Sequence, residues 1–222
     1  MKRLAVLLCA CSAAGAHAVV VLDNFTDAQS LSLTAQGSTS SVVNGAGMVG
    51  GSRRMGLTLL AGIPGVPISA SSTIGSGFLD HRSSSFSISA LGLTYGGPLT
   101  SGDLNLNLSG ENRFRLSFHY NDIANTDVQI EVRTAGGGGG TSSLAMPVPR
   151  VTNPSHTVDF MFANFVGTAN FGDVDEIRVV FSPMESGDFL LAANFQAVPE
   201  PGTMIAVGLG VAALAARRRL RS

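Results

Sequence analysis

The chain has 222 residues, enough for one folded domain and additional processing segments, and only 13% of its residues are charged. Between Val19 and Val198, eight arginines stand against fourteen acidic residues, which gives this part a net charge of −6. Its acidity, and the absence of any lysine after Lys2, exclude a nucleic-acid partner, because such binding requires clustered cations. The composition favours an exported protein kept soluble by its net charge.

The first 18 residues have the organisation of a secretory signal peptide. A positively charged start precedes an apolar core at residues 4–14, and Ala16 and Ala18 occupy the two small positions of a cleavage pattern. Cleavage after Ala18 removes both cysteines, so the mature chain has no disulfide and no thiolate metal site. Two alternatives are a lipoprotein signal, with Cys11 as the lipidated residue, and a buried N-terminal helix.

Residues 19–197 are predicted to form one β-sandwich domain. Short runs with apolar residues at every second position alternate with Gly, Asn, Asp, Ser and Pro, which is typical of strands joined by tight turns. The predicted strands are VVVLDNF, SLSLTA, RMGLTLLAG, PISASST, SFSISALGLTY, LNLNLSG, RFRLSFHYND, DVQIEVRT, HTVDFMF, DEIRVVF and DFLLAANFQA. About nine to eleven strands without a long amphipathic helix predict an all-β, two-sheet, jelly-roll-like sandwich. The alternative is an immunoglobulin-like sandwich, whose usual tryptophan and cysteine pair are absent here.

Five consecutive glycines at residues 136–140 lie between the predicted strand DVQIEVRT and the segment SSLAMPVP. A phosphate-binding loop is excluded, because no lysine and no predicted helix follow the glycines. The run predicts a flexible hairpin loop.

Residues suited to catalysis or metal binding are sparse. The three histidines of the mature chain, His81, His119 and His156, lack the spacing of a zinc site, and no Gly-x-Ser-x-Gly elbow is present. No pair of carboxylates stands out for glycoside hydrolysis, so the chain is predicted not to be an enzyme, with a secreted hydrolase as the least favoured alternative. Asp173 and Asp175 could present two carboxylates to a structural calcium ion, whereas the ordinary explanation of such residues is turn formation, in which Asp side chains bond backbone amides nearby. No other cofactor is indicated.

Carbohydrate binding is a separate possibility, because jelly-roll domains commonly bind sugars. An aromatic stacking platform is disfavoured: the chain has no tryptophan, its only tyrosines are Tyr95 and Tyr120, and most of its twelve phenylalanines are at predicted core positions. Recognition through Asn, Asp and Arg side chains remains open.

The last 25 residues, 198–222, combine three signals in a fixed order. An extended motif rigidified by proline comes first, and it consists of Val198, Pro199, Glu200 and Pro201. Residues 202–216 carry no charge and predict one short transmembrane helix, about 22 Å long. The positive cluster that follows would stop the helix with its end in the cytoplasm, and it consists of Arg217, Arg218, Arg219 and Arg221.

This order of Pro-Glu-Pro motif, apolar helix and terminal arginines resembles the PEP-CTERM sorting signal of Gram-negative bacteria. The resemblance implies an exosortase partner, which processes the chain near the motif after a transient stay in the inner membrane. It also implies delivery to the cell surface or extracellular matrix, in connection with exopolysaccharide and biofilm. Segments such as VGGSRRM at residues 49–55 resemble exported proteins of jelly-roll type that carry this signal. The expected function is that of a noncatalytic envelope or matrix protein, and the alternative is a glycan-binding module of the same matrix.

Overall fold

The protein folds as a sandwich of two antiparallel β-sheets, seen in a computed structural model that describes residues 18–122, 126–135, 139–150, 155–185 and 189–200. Sheet A contains, in spatial order, β11 (His156–Met161), β8 (Glu111–Asn121), β14 (Phe189–Pro199), β6 (Phe78–Ser83), β5 (Ala70–Gly75) and β2 (Gln29–Leu33), with β1 (Val20–Asp23) paired to β14. Sheet B contains β12 (Val166–Gly167), β10 (Thr141–Pro147), β9 (Asp127–Arg133), β13 (Glu176–Met184), β7 (Ser87–Gly96), β4 (Ser52–Gly62) and β3 (Gly37–Asn44). The only helical elements in the described part of the chain are two 3-10 turns, Val49–Gly51 and Phe162–Asn164.

One apolar core lies between the two sheets and is built from their inward-facing residues. In β8, Phe114 and Phe118 are fully buried, whereas Arg113 and Arg115 alternate with them on the outer face of sheet A. This is the pattern that a strand with one buried face requires. The all-β, two-sheet prediction is confirmed.

Ten of the eleven predicted strands are present, and LNLNLSG at residues 104–110 is the exception. Asn105 has a backbone φ of 48°, in the left-handed region, which interrupts the extended geometry that a ladder needs. Only Leu106 forms a bridge, to Val174 in the loop before β13. The N–H groups of Leu104, Leu106 and Leu108 do find backbone acceptors within residues 171–175, but no continuous ladder forms. That prediction was wrong because alternation shows which face of a segment is buried and not whether its backbone stays extended.

Four strands were not predicted, namely β3, β6, β10 and β12. β3 is rich in serine and β6 carries charged residues, so neither has the apolar alternation that identified the others. The glycine run does connect a hairpin, because β9 and β10 pair on either side of it from Arg133 and Thr141 onward.

The two sheets are joined by a buried ion pair between Arg53 of β4 and Asp23 of β1. Both side chains are essentially inaccessible, and Nη1 of Arg53 donates to Oδ2 of Asp23 over 2.6 Å. The guanidinium has two further acceptors: its Nε donates to Oε1 of Gln29 over 2.9 Å, and its Nη2 donates to the carbonyl of Asp27 over 2.7 Å. All three nitrogens of the Arg53 guanidinium therefore donate a hydrogen bond.

The Asp23 carboxylate has two more donors. The hydroxyl of Tyr95 on β7 donates to Oδ2 over 2.8 Å, and the backbone N–H of Phe25 donates to Oδ1 over 2.7 Å. Burial raises the pKa of Tyr95 well above its usual value, and the Asp23 charge adds to this effect, so the hydroxyl stays protonated. The network thus connects β1 of sheet A to β4 and β7 of sheet B through satisfied polar groups.

Replacing Arg53 by Met should destabilise the fold strongly, because it leaves the Asp23 carboxylate buried without its counter-ion. Loss of one partner of a buried pair costs about 3–5 kcal/mol in the free energy of unfolding. Tyr95→Phe, which removes one hydrogen bond to the same carboxylate, should cost about 1–3 kcal/mol. Urea denaturation measures both.

Arg82→Met is the matched control, since Arg82 forms a surface ion pair with Asp80. It should leave the free energy of unfolding nearly unchanged. Equal effects of the Arg53 and Arg82 substitutions would contradict the role assigned to the buried network.

Candidate functional site

The outer face of sheet B contains an open groove of about 430 Å³ that runs across β3, β4, β7 and β13. Its lining is mostly small or hydroxyl-bearing, with three charged groups: Ser38, Thr39, Ser40, Arg54, Gly56, Thr58, Ala90, Leu91, Gly92, Thr94, Leu99, Glu176, Arg178 and Val180. None of these residues is aromatic. We refer to this feature as the sheet B groove.

The floor of the sheet B groove consists of two glycines placed side by side. Gly56 of β4 is paired with Gly92 of β7, and Gly92 is paired on its other side with Val180 of β13. A Cβ atom added to either glycine would meet no atom within 4 Å, so the space above both positions is open. Both residues alternate with buried leucines or methionine, which places them on the outer face of the sheet.

Hydroxyl groups and one arginine form the side of the groove towards β3. The hydroxyls of Ser38 and Thr58 are 2.9 Å apart, and Nη2 of Arg54 donates to the hydroxyl of Ser40 over 3.1 Å. These groups are exposed, so they can exchange their present hydrogen bonds for bonds to a bound molecule.

A second arginine lies across the groove. Arg54, Thr94 and Arg178 occupy neighbouring positions on β4, β7 and β13. Arg178 is exposed and forms no ion pair with any of the described residues, whereas the groove's single carboxylate, Glu176, pairs with Arg133 over 3.0 Å. The sheet B groove therefore offers arginine donors and hydroxyls but no unpaired carboxylate.

Sequence reasoning did not identify this groove. The relevant signal is the insertion of Gly56 and Gly92 between apolar residues in RMGLTLLAG and SFSISALGLTY. Two glycines at outward positions become a shared floor only when β4 and β7 pair in the observed register, and that register is not visible in either segment alone.

The proposed calcium residues do not form a carboxylate cluster. Asp175 is buried and accepts a hydrogen bond from the backbone N–H of Ala135 over 2.5 Å, whereas Asp173 is exposed in a turn closed by its own N–H and the Asn170 carbonyl. Within the described ranges, no three His, Cys, Asp or Glu residues come together. Asp173 thus has the contact of a turn residue, whereas Asp175 bonds to a segment 40 residues away in sequence. Calcium binding at these residues stays a prediction.

The three histidines lie apart, and His81 is the most unusual. It is fully buried in β6, with Nδ1 2.7 Å from the hydroxyl of Ser72 and Nε2 2.9 Å from that of Ser89. His119 is exposed on the outer face of sheet A, and His156 stacks on Phe118. The serine hydroxyls near His81 are themselves buried, so they cannot attack a substrate in solution.

The sorting motif begins inside the fold. β14 extends through Val198 and Pro199, two residues beyond the predicted end of the sandwich, and these residues pair with Arg113 and Glu111 of β8. Pro199 is buried, whereas Glu200 is exposed. Pro201, the helix predicted at residues 202–216 and the arginine cluster (Arg217, Arg218, Arg219 and Arg221) lie outside the described residues, and no helix within the described ranges is long and apolar enough to span a membrane.

The predicted signal cleavage site lies beside this motif. Ala16 is outside the described residues, but Ala18 is exposed just before β1, and Val20 of β1 pairs with Ala197 of β14. The two predicted processing sites therefore lie at the same end of sheet A.

Comparison with known proteins identifies the tail and yields distant structural matches. Residues 197–219 match the PEP-CTERM protein-sorting motif, which confirms the predicted sorting signal. No curated protein matches the chain by sequence. Among solved structures, the family 11 carbohydrate-binding module of the cellulosomal cellulase Lic26A-Cel5E of Clostridium thermocellum is similar at 12% identity and a TM-score of 0.43, covering 84% of this chain and 97% of the module. An arabinose-bound GH51 α-L-arabinofuranosidase is similar at 11% identity and a TM-score of 0.39, covering 84% of this chain and 27% of the enzyme.

The environment of His81 predicts a pH-dependent stability. Burial lowers the pKa of His81 to about 4, from 6.5 in the unfolded chain, so the folded state strongly favours the neutral ring. As the pH falls below 6.5, the unfolded chain takes up a proton that the folded chain does not, and stability falls until the pH reaches about 4. The loss from this group is at most on the order of 3 kcal/mol.

Urea denaturation at a series of pH values between 7 and 4 measures this loss. His81→Gln should flatten the dependence, whereas His119→Gln, which changes an exposed histidine, serves as the matched control. An unchanged pH dependence in the folded His81→Gln variant would contradict the assignment.

Proposed function

We propose that this protein is an exported, noncatalytic component of the cell envelope or exopolysaccharide matrix that binds a polysaccharide in the sheet B groove. The sorting motif at residues 197–219 supports export and handling by an exosortase. The single observation that carries the binding proposal is the open floor formed by Gly56 and Gly92, edged by hydroxyls and arginines.

The shape and chemistry of the groove suit a chain of sugars. A polymer must enter and leave a binding site along its length, which an open groove permits and an enclosed cavity does not. The hydroxyls of Ser38, Ser40 and Thr58 can both donate and accept hydrogen bonds, as sugar hydroxyls also do. The two glycines allow a sugar ring to approach the backbone of the sheet.

The same groove argues against glycoside hydrolysis. That reaction requires two carboxyl groups about 5–9.5 Å apart on either side of the bond that is broken. The lining residues include only one carboxylate, Glu176, and it is engaged by Arg133. Binding without cleavage is therefore the better-supported use of this surface.

Filling the floor of the groove should weaken polysaccharide binding while preserving the fold. Gly92→Leu and Gly56→Leu place a side chain in open space above the sheet, and neither position has a left-handed backbone. Binding to polysaccharide from the producing cells, measured with purified full-length protein by affinity electrophoresis, should fall at least about tenfold, a loss of about 1.4 kcal/mol.

Gly75→Leu is the matched control, because Gly75 lies in β5 of sheet A and also faces open space. It should bind like the unmodified chain. Binding that survives both groove substitutions, or that Gly75→Leu reduces equally, would refute the assignment of the groove.

For sorting, we propose that exosortase engages the motif from Glu200 onward and needs the end of β14 to leave the sheet. Val198 and Pro199 are held by β8, and proteases bind their substrates as extended segments free of other pairing. Replacing Pro199, Glu200 and Pro201 by Ala-Gln-Ala should stop processing, with the precursor accumulating in the inner membrane.

A four-residue Gly-Ser spacer between Ala197 and Val198 tests the role of β14 directly. It moves the motif away from β8, so processing followed by pulse-chase labelling should become faster. A spacer of the same composition inserted at residues 136–140 is the control. Equal processing rates for both insertions would argue against any influence of β14.

A further inference from the structure

We infer that the sheet B groove selects an acidic polysaccharide, one that carries carboxylate, sulfate or similar anionic groups. This inference rests on the proposed glycan-binding function and names the class of its ligand. It is carried by the placement of Arg54 and Arg178 within an otherwise acidic domain.

The charge distribution is the first argument. Residues 19–198 carry a net charge of −6, which by itself repels a polyanion. In the groove lining the sign of the net charge is reversed, because Arg54 and Arg178 are positive and Glu176 is neutralised by Arg133. An anionic polymer is therefore attracted to this face, and not to the domain as a whole.

The geometry of the two arginines is the second argument. They lie in one row across the sheet with Thr94 between them, which places their backbones two strand spacings, or about 10 Å, apart. Planar guanidinium groups bind carboxylate and sulfate oxygens with paired hydrogen bonds. The row can thus contact anionic groups at two points along one bound chain.

One carboxylate lies beside this row of arginines without forming an ion pair to it. Glu131 of β9 is opposite Arg178 in the strand register, yet the two form no ion pair within the described part of the chain. Among the described residues, the hydrogen-bond partner of Arg54 is the neutral hydroxyl of Ser40. Both guanidinium groups can therefore turn towards a ligand without first breaking a salt bridge.

The third argument is that none of the described residues that line the groove is aromatic. Neutral sugars offer hydroxyls and the apolar faces of their rings, and an aromatic side chain is the usual partner for those faces. Because no lining residue supplies one, charge-assisted hydrogen bonds are the strongest contacts that the groove can make.

Matched ligands separate this inference from the general glycan-binding proposal. Polygalacturonate and its fully methyl-esterified form share one backbone and differ in charge, and dextran provides an unrelated neutral polymer. Affinity electrophoresis of the full-length chain should show binding to polygalacturonate at least about tenfold tighter than to the methyl ester. Raising the ionic strength from 0.05 to 0.5 M should weaken this binding.

Arg54→Gln and Arg178→Gln should each weaken binding of polygalacturonate by about tenfold and leave the melting temperature unchanged. Arg82→Gln is the control, since it removes an exposed arginine of sheet A at the same cost in net charge. If Arg82→Gln weakens the binding of polygalacturonate as much as the two groove substitutions do, the polymer is attracted by net charge alone. That result would overturn the inference.

Two further outcomes distinguish the two levels of the proposal. Binding of the methyl ester or dextran as tight as that of polygalacturonate, and sensitive to Gly92→Leu, would overturn the acidic class but keep the groove as a glycan site. If the protein binds neither a polymer of this set nor the native polysaccharide from the producing cells, both the acidic class and the glycan site are overturned.

Discussion

The buried ion pair between Arg53 and Asp23 is the constraint on which the rest of this structure depends. Two opposite charges inside an apolar core are tolerated only when each is fully hydrogen-bonded, because the loss of hydration costs several kcal/mol per ion. Gln29, Tyr95 and the backbone of the β1–β2 loop meet that requirement. The network can form only if β1, β4 and β7 are aligned as observed, so it specifies how the two sheets face each other.

This alignment also determines the outer surface. In a strand, neighbouring residues point to opposite faces, and a slip of one residue exchanges the faces completely. Because Arg53 is held inside, Arg54 must point outward, and Gly56 follows on the same face. The pairing of β4 with β7 then places Gly92 beside Gly56. Two consecutive arginines thus have separate roles, one joining the sheets and one facing the groove.

The period-two alternation was sufficient to predict the sandwich, because it reports directly which face of a strand is buried. It failed for residues 104–110, where the left-handed backbone at Asn105 prevents a ladder. It also missed β3, an edge strand rich in serine that buries little apolar surface. The candidate site could not be predicted from the sequence, because it depends on the register between distant segments. The inward position of Arg53 and the adjacency of Gly56 and Gly92 arise only after the strands pair.

The fold also gives the processing segments a common geometry. β1 and β14 pair near Val20 and Ala197, so the chain enters and leaves the sandwich at one end of sheet A. The sheet B groove lies on the outer face of the other sheet, so the proposed polysaccharide binding and the proposed processing use different surfaces.

The central functional claim is that the sheet B groove binds an acidic polysaccharide. The most direct test of this claim is an NMR titration of the isotope-labelled full-length protein with a short oligogalacturonate. The account predicts that the amide resonances of Gly56 and Gly92 shift progressively with ligand concentration, while that of Gly75 on sheet A stays in place. Saturable shifts confined to sheet A, with Gly56 and Gly92 unaffected, would contradict it.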